Sequence, residues 1–236
     1  MTLDLSKFKL QKVVLEIRYD PAFLLWDNAG TVWFTLRSKF PAQRLKTAQP
    51  NQQIMSLSKD LEGTTELDRA FLQGTFPAQD LEAFRAAADI FFSCIIRQLD
   101  ITDLSRVGMR LIYEKTFESR REASDYVLTC KPSLQRDGKF FNAEGGKVLD
   151  PEFFLRWEGD AIGCSVKVFS VEQRIQVGTP SEFPEVTPID VTRNSAILDI
   201  DYYAHASMPV SKFNAPALIE NWLRTVRRDV GGFVGA

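Results

Sequence analysis

Apolar side chains fall at every second position from Val13 to Tyr19 (Val13, Leu15, Ile17, Tyr19), and the same pattern returns at Val107, Met109, Leu111 and Tyr113. A period of two predicts a strand with one face for a core and the other largely for solvent. The match extends from Lys12/Arg106 to Asp20/Glu114 at a constant offset, with Tyr19 answering to Tyr113, 94 positions on. Around the first copy, a strand over Phe8 to Tyr19 stops at Pro21. A helix follows from about Asn28, capped by Asp27 or Asn28, with Val32, Trp33, Leu36 and Phe40 on one side and Pro41 at its end. Strands are expected at 43–49, 51–58 and Thr64 to Phe76, with turn chemistry at Asp60 to Gly63. Pro77 and Asp80 open a long helix whose Leu81, Phe84, Ala88, Phe91, Ile95 and Leu99 follow a three-and-four spacing.

The second half repeats the order. A strand from Ser105 to Phe117 leads to a short helix from Ser119 or Arg120 to Cys130, then to strands at 152–159 and 162–177 joined by a tight turn at Gly159-Asp160. A third strand runs from about Ser195 to Ala206. Asn214 caps a last helix striped by Leu218, Ile219, Trp222, Leu223, Val226 and Val230, with Phe213 and Leu218 stapling its start and Gly231-Gly232 ending it. The segments 131–150 and 178–193 break the match as long loops. The reading is therefore an α+β chain: a β-α-β-β-β-α unit made twice, residues 1–100 and 101–236, as one continuous domain. Its antiparallel sheet or sheets are expected to be curved, with two long helices packed on one face.

The opening Val-x-Leu-x-Ile-Arg-Tyr strand, the helix Val-Trp-Phe-x-x-Leu-x-x-x-Phe-Pro at 32–41 and the Gly-Met-Arg-Leu-Ile-Tyr strand at 108–113 resemble a sporadically distributed family of uncharacterised bacterial and archaeal proteins of similar size. The resemblance covers the chain through residue 117. That family's central strand usually reads Gly-Leu-Arg-Tyr-Ile-Asn, so Met109, Leu111 and Tyr113 depart from it. The resemblance supports the fold and implies no activity. The duplicated layout is also similar to that of the TATA-binding protein, an analogy of architecture alone.

Composition narrows the classes without choosing one. The 236 residues are 44% hydrophobic and 25% charged, an ordinary globular balance. A net charge of −2 lacks the basic excess of a dedicated nucleic-acid binder. The N-terminal residues carry no secretory pattern and no apolar run is long enough to span a bilayer, so the cytoplasm is the expected compartment and no membrane contact is expected. Cys94, Cys130 and Cys164 are odd in number and far apart, which reads as packing thiols.

The chemistry is sparse. His205 is the single histidine, near a strand end, so every Ser-His or Cys-His mechanism would rest on it; local bonding is the simpler expectation. No metal-ligand spacing and no phosphate-cradling glycine loop occur, and no cofactor is expected. Asp199 and Asp201 share one strand face, as a carboxylate pair would, although alternate acids also make a solvated face. Arg224, Arg227 and Arg228 lie on one side of the last helix, where they could meet phosphate or an acidic partner, or sit in solvent favoured by the helix dipole. A second basic group is Lys115, Arg120 and Arg121. Aromatics at Phe140-Phe141, Phe153-Phe154, Trp157, Phe183 and Tyr203 fall where the alternation points outward or in loops, and either fill between helices and sheet or form an apolar surface that another subunit covers.

These features point first to a non-enzymatic binding or adaptor protein that holds a protein partner or associates with itself, with Phe140 and Phe141 among the contact residues. A nucleic-acid-binding saddle using Lys12, Arg18, Arg106 and Arg110 comes second, and a carboxylate enzyme centred on Asp199 and Asp201 third.

Overall fold

The computed structural model describes residues 4–76, 80–130, 150–177 and 189–233. The first half comprises β1 (Lys9–Arg18), α1 (Leu24–Lys39), β2 (Arg44–Gln49), β3 (Gln52–Ser58), β4 (Leu61–Glu66), β5 (Arg69–Thr75) and α2 (Leu81–Gln98). The second comprises β6 (Asp103–Leu104), β7 (Arg106–Phe117), α3 (Arg120–Thr129), β8 (Glu152–Glu158), β9 (Ile162–Val177), β10 (Ile189–Ala204), β11 (Met208–Pro209) and α4 (Ala215–Phe233). Nine strands make one antiparallel sheet in the order β2-β3-β4-β5-β1-β7-β10-β9-β8, and β6 pairs with β11 apart from it. The two matched strands β1 and β7 lie side by side at the seam, with Leu15 opposite Met109, Val13 opposite Leu111 and Ile17 opposite Val107.

Val13, Leu15 and Ile17 of β1 and Val107, Met109, Leu111 and Tyr113 of β7 are buried and join Leu25 and Leu36 of α1, Phe84, Phe91 and Ile95 of α2, Val127 of α3, and Ile219 and Leu223 of α4 in one core. The helices therefore cover one face of the sheet. Close approach of α2 requires glycine below it: a Cβ on Gly63 would lie 2.5 Å from the Phe91 ring, and one on Gly74 2.8 Å from Phe84. The even positions of β1, Val14, Glu16 and Arg18, turn to the opposite face, which no helix covers among the described residues.

Several boundaries differ from the sequence reading for physical reasons. Thr64 to Phe76 is not one strand: β4 starts at Leu61 and the chain turns at Leu67-Asp68, so four strands, not three, separate α1 from α2. Backbone hydrogen bonds from Tyr19 N–H to Asp68 O and from Ala22 N–H to Leu67 O hold that turn. Helix α1 begins four residues before Asn28 without a side-chain cap, and the Asn28 amide instead donates 2.7 Å to the Gln98 carbonyl, tying α1 to the end of α2. Strand β10 begins at Ile189, so the residues from 189 to 193 extend a hairpin with β9 and are not loop. Helix α4 continues through Gly231-Gly232, since glycine lowers helix propensity without blocking the ladder. The cap residues Asp80 and Asn214 act as expected, accepting from Ala83 N–H (2.5 Å) and Ala217 N–H (2.9 Å).

Asp100 ends α2 with φ 52°, while Ile101 N–H bonds back to Ile96 O. This is the left-handed position that glycine occupies without strain. Asp100→Gly is expected to raise stability by about 0.5–1 kcal/mol in urea denaturation, the relieved strain exceeding the added chain entropy.

Candidate functional site

The helix-free face at the seam gathers most of the polar chemistry. Antiparallel pairing aligns three rows across it. Arg69, Arg18 and Arg106 lie directly opposite one another on β5, β1 and β7. The next row is Phe71, Glu16, Gly108, Tyr203 and Gly163, and the next Gln73, Val14, Arg110, Asp201 and Ser165. Together they floor an open depression of about 400 Å³ lined by Lys12, Arg18, Arg69, Arg106, Arg110 and Asp201 among others.

Like charges directly opposed on a sheet repel, and carboxylates interleave to relieve this. Glu16 accepts from Arg18 Nε (2.7 Å) and Arg106 (3.0 Å), Asp201 accepts from Arg106 (3.1 Å), and Glu66 accepts from Arg69 (2.7 Å). Arg110 holds Asp199 with two parallel hydrogen bonds of 2.8 and 2.5 Å. The Arg106 guanidinium also stacks 4.4 Å from the Tyr203 ring centroid. That ring lies flat across β9, and a Cβ on Gly163 would come within 2.4 Å of it, so glycine is required there. Lys12 has no carboxylate within ion-pair distance among the described residues.

Five cations thus meet four carboxylates around the seam, and the face is mixed in sign and not strongly basic. Asp199 and Asp201 do share a face as expected, but each is bonded to a guanidinium. Among the described residues no group of three or more His, Cys, Asp or Glu is gathered as a metal site.

Burial pushes the Asp201 carboxyl above the ordinary aspartate range, Arg106 only partly opposing it. A raised carboxyl binds its proton more readily folded than unfolded, so its stabilising contribution is full below the unfolded value near 3.8 and is lost as pH rises through the folded value. Asp201→Asn is accordingly expected to remove a decline in stability as pH rises from about 3.8, read from urea denaturation at a series of pH values. An unchanged pH profile would count against the raised carboxyl.

The remaining predicted residues are dispersed. His205 lies at the end of β10, with Nε2 3.1 Å from the Asp160 carbonyl oxygen and Nδ1 3.6 Å from Glu158, a locally bonded imidazole. In α4, Arg228 forms a two-point pair with Asp229 and Arg224 lies 3.5 Å from Glu220, while Arg227 reaches Tyr113. Arg120 is paired with Asp150, and Lys115 sits 4.0 Å over the Tyr126 ring. Phe140, Phe141 and Phe183 lie outside the described residues. All three cysteines are free and buried, and burial pushes the Cys164 thiol up to about 11. An apolar cleft of about 300 Å³ lies between β8–β10 and the end of α4, lined by Trp157, Cys164, Val166, Tyr202 and Val226.

Sequence reasoning did not place Arg69, Phe71 and Gln73 at the site. Their alternation with Ala70, Leu72 and Gly74 was the available signal, but only the pairing of β5 with β1 brings them to the seam. No helix of the described residues is long and apolar enough to cross a membrane. Compared with known proteins, the chain matches no family model and no curated protein.

Proposed function

We propose that the chain is a non-enzymatic binding or adaptor protein that holds a protein partner on the helix-free face of its sheet and associates with itself. The observation that carries this reading is the composition of the seam: arginines with carboxylate partners, Phe71 beside them, and Lys12 with no carboxylate in ion-pair distance among the described residues. Arginine and aromatic side chains are what protein interfaces use most, and mixed charge favours selectivity over bulk attraction. The test is calorimetric binding of a partner isolated with the tagged chain and then purified. Arg18→Ser/Arg106→Ser/Arg110→Ser should weaken binding at least about tenfold with the fold retained by circular dichroism. Binding unchanged by the triple variant would sink the reading.

A nucleic-acid reading is supported by the row Arg69, Arg18 and Arg106 and opposed by the interleaved carboxylates. It predicts oligonucleotide affinity that falls steeply between about 50 and 200 mM salt.

We also infer that the chain is an internal duplication belonging with the sporadically distributed family. Support comes from the β1/β7 register: Leu15 and its counterpart Met109 face each other, while Val13↔Leu111 and Ile17↔Val107 exchange under the same offset, as a local two-fold axis at the seam requires. On this view β2, at the outer edge of the first half, is an addition to the repeated unit.

A further inference from the structure

We propose that two copies of this chain join edge to edge through β8, so that the sheet continues across a two-fold axis at Phe154. This rests on the self-association proposed above and names its surface; it is independent of what the charged face binds.

The two edges of the sheet are built differently. The β2 edge carries Arg44 and Lys46, and its pairing with β3 shifts between Leu45 and Thr47. Charge and an irregular register are the usual protections of an edge against further pairing. The β8 edge carries charge as well, at Glu152, Arg156 and Glu158, but no irregularity of register. Its pairing with β9 is unbroken from Glu152 to Glu158, and it exposes Phe154 (63%), Leu155 (46%) and Trp157 (50%). Among the described residues no strand lies on its outer side.

The hydrogen-bond phase of β8 restricts how a second strand can add. Gly159 N–H donates to Ile162 O (2.9 Å) and Ser170 N–H to Pro151 O (3.4 Å), so the odd residues face β9. Alternation along an antiparallel ladder then turns the N–H and C=O of Glu152, Phe154, Arg156 and Glu158 outward. Outward groups must meet outward groups, and charge selects among the self-pairings that this allows and that engage at least five residues of β8. Centring on Leu155 sets Glu152 against Glu158 of the second copy, and centring on Arg156 sets arginine against arginine. Centring on Phe154 sets Glu152 against Arg156 of the second copy, and Arg156 against its Glu152, with Leu155 opposite Phe153. Unlike charges directly opposed stabilise a strand pair and like charges destabilise it, so the Phe154 register is selected. Glu152 already bonds Lys167 (3.0 Å) and Arg156 bonds Glu158 (3.1 Å) within the chain, and these exposed pairs leave lone pairs and N–H groups for the second copy.

Light scattering during size exclusion of the full chain should give twice the 26.8 kDa chain mass across a dilution series. Arg156→Glu alone or Glu152→Arg alone places like charges at both ends of the pairing and should weaken the dimer about tenfold or more. The double variant restores complementarity and should recover it. Phe154→Cys should cross-link to itself on oxidation, since directly opposed Cα atoms lie about 5.5 Å apart, whereas Leu155→Cys should not. A monomer at every concentration overturns both the self-association reading and this edge. A dimer indifferent to the single charge variants, or one that Leu155→Cys links in preference to Phe154→Cys, overturns the edge alone and moves self-association to another surface.

Discussion

Replacing Leu15 or Met109 by aspartate should abolish folding or cost roughly 4 kcal/mol or more. The two side chains face each other across the seam, both fully buried, and a carboxylate there meets only hydrocarbon. An unpaired buried charge is among the few single changes that consume most of a domain's margin of about 5–15 kcal/mol. The control lies one position along the strand. Val14→Asp, on the helix-free face, should cost within about 1 kcal/mol, and Arg110→Ala, about half exposed, within roughly 0.5 kcal/mol. Urea denaturation followed by circular dichroism would read all four. Equal tolerance of aspartate at 14 and 15 would contradict the placement of the core on one side of β1.

The second large effect is expected where α2 meets the sheet. Phe91 is fully buried, packs edge-on against Phe92 at 5.2 Å, and reaches down to Gly63 of β4. Phe91→Ala should cost about 3–5 kcal/mol through lost burial and the cavity left behind. Gly63→Ala should cost about 1–3 kcal/mol for the opposite reason, since the added methyl meets a ring that the surrounding core holds in place. Because the two residues share one space, Gly63→Ala/Phe91→Leu should cost measurably less than the sum of Gly63→Ala and Phe91→Leu. Strict additivity would mean that the ring moves aside freely and that the glycine serves no packing role.

The elements that could be read from the chain were those whose signal is local. β1 and β7 declare themselves by alternation, α2 and α4 by the caps Asp80 and Asn214, and the β8–β9 turn by Gly159-Asp160. The misplaced boundaries lack such a signal. α1 starts without a side-chain cap, and the division between β4 and β5 depends on backbone bonds from Tyr19 and Ala22, some 45 residues away. At the candidate site, the alternate carboxylates Asp199 and Asp201 were visible. Their partners Arg110 and Arg106 were not, being 89 and 95 residues distant in sequence. Two acids that read as a possible reactive pair become members of ion pairs once the strands are laid side by side.

The sequence by itself determined which side chains of each strand turn inward, because alternation with period two is a property of the extended backbone and needs no neighbour. Which strand lies beside which is a property of the whole chain path, decided by how the helices pack over one face and where the crossings fall. That alone set β1 against β7 and β5, and so aligned Arg69, Arg18 and Arg106, laid Tyr203 over Gly163, and placed β8 last in the order of the described strands.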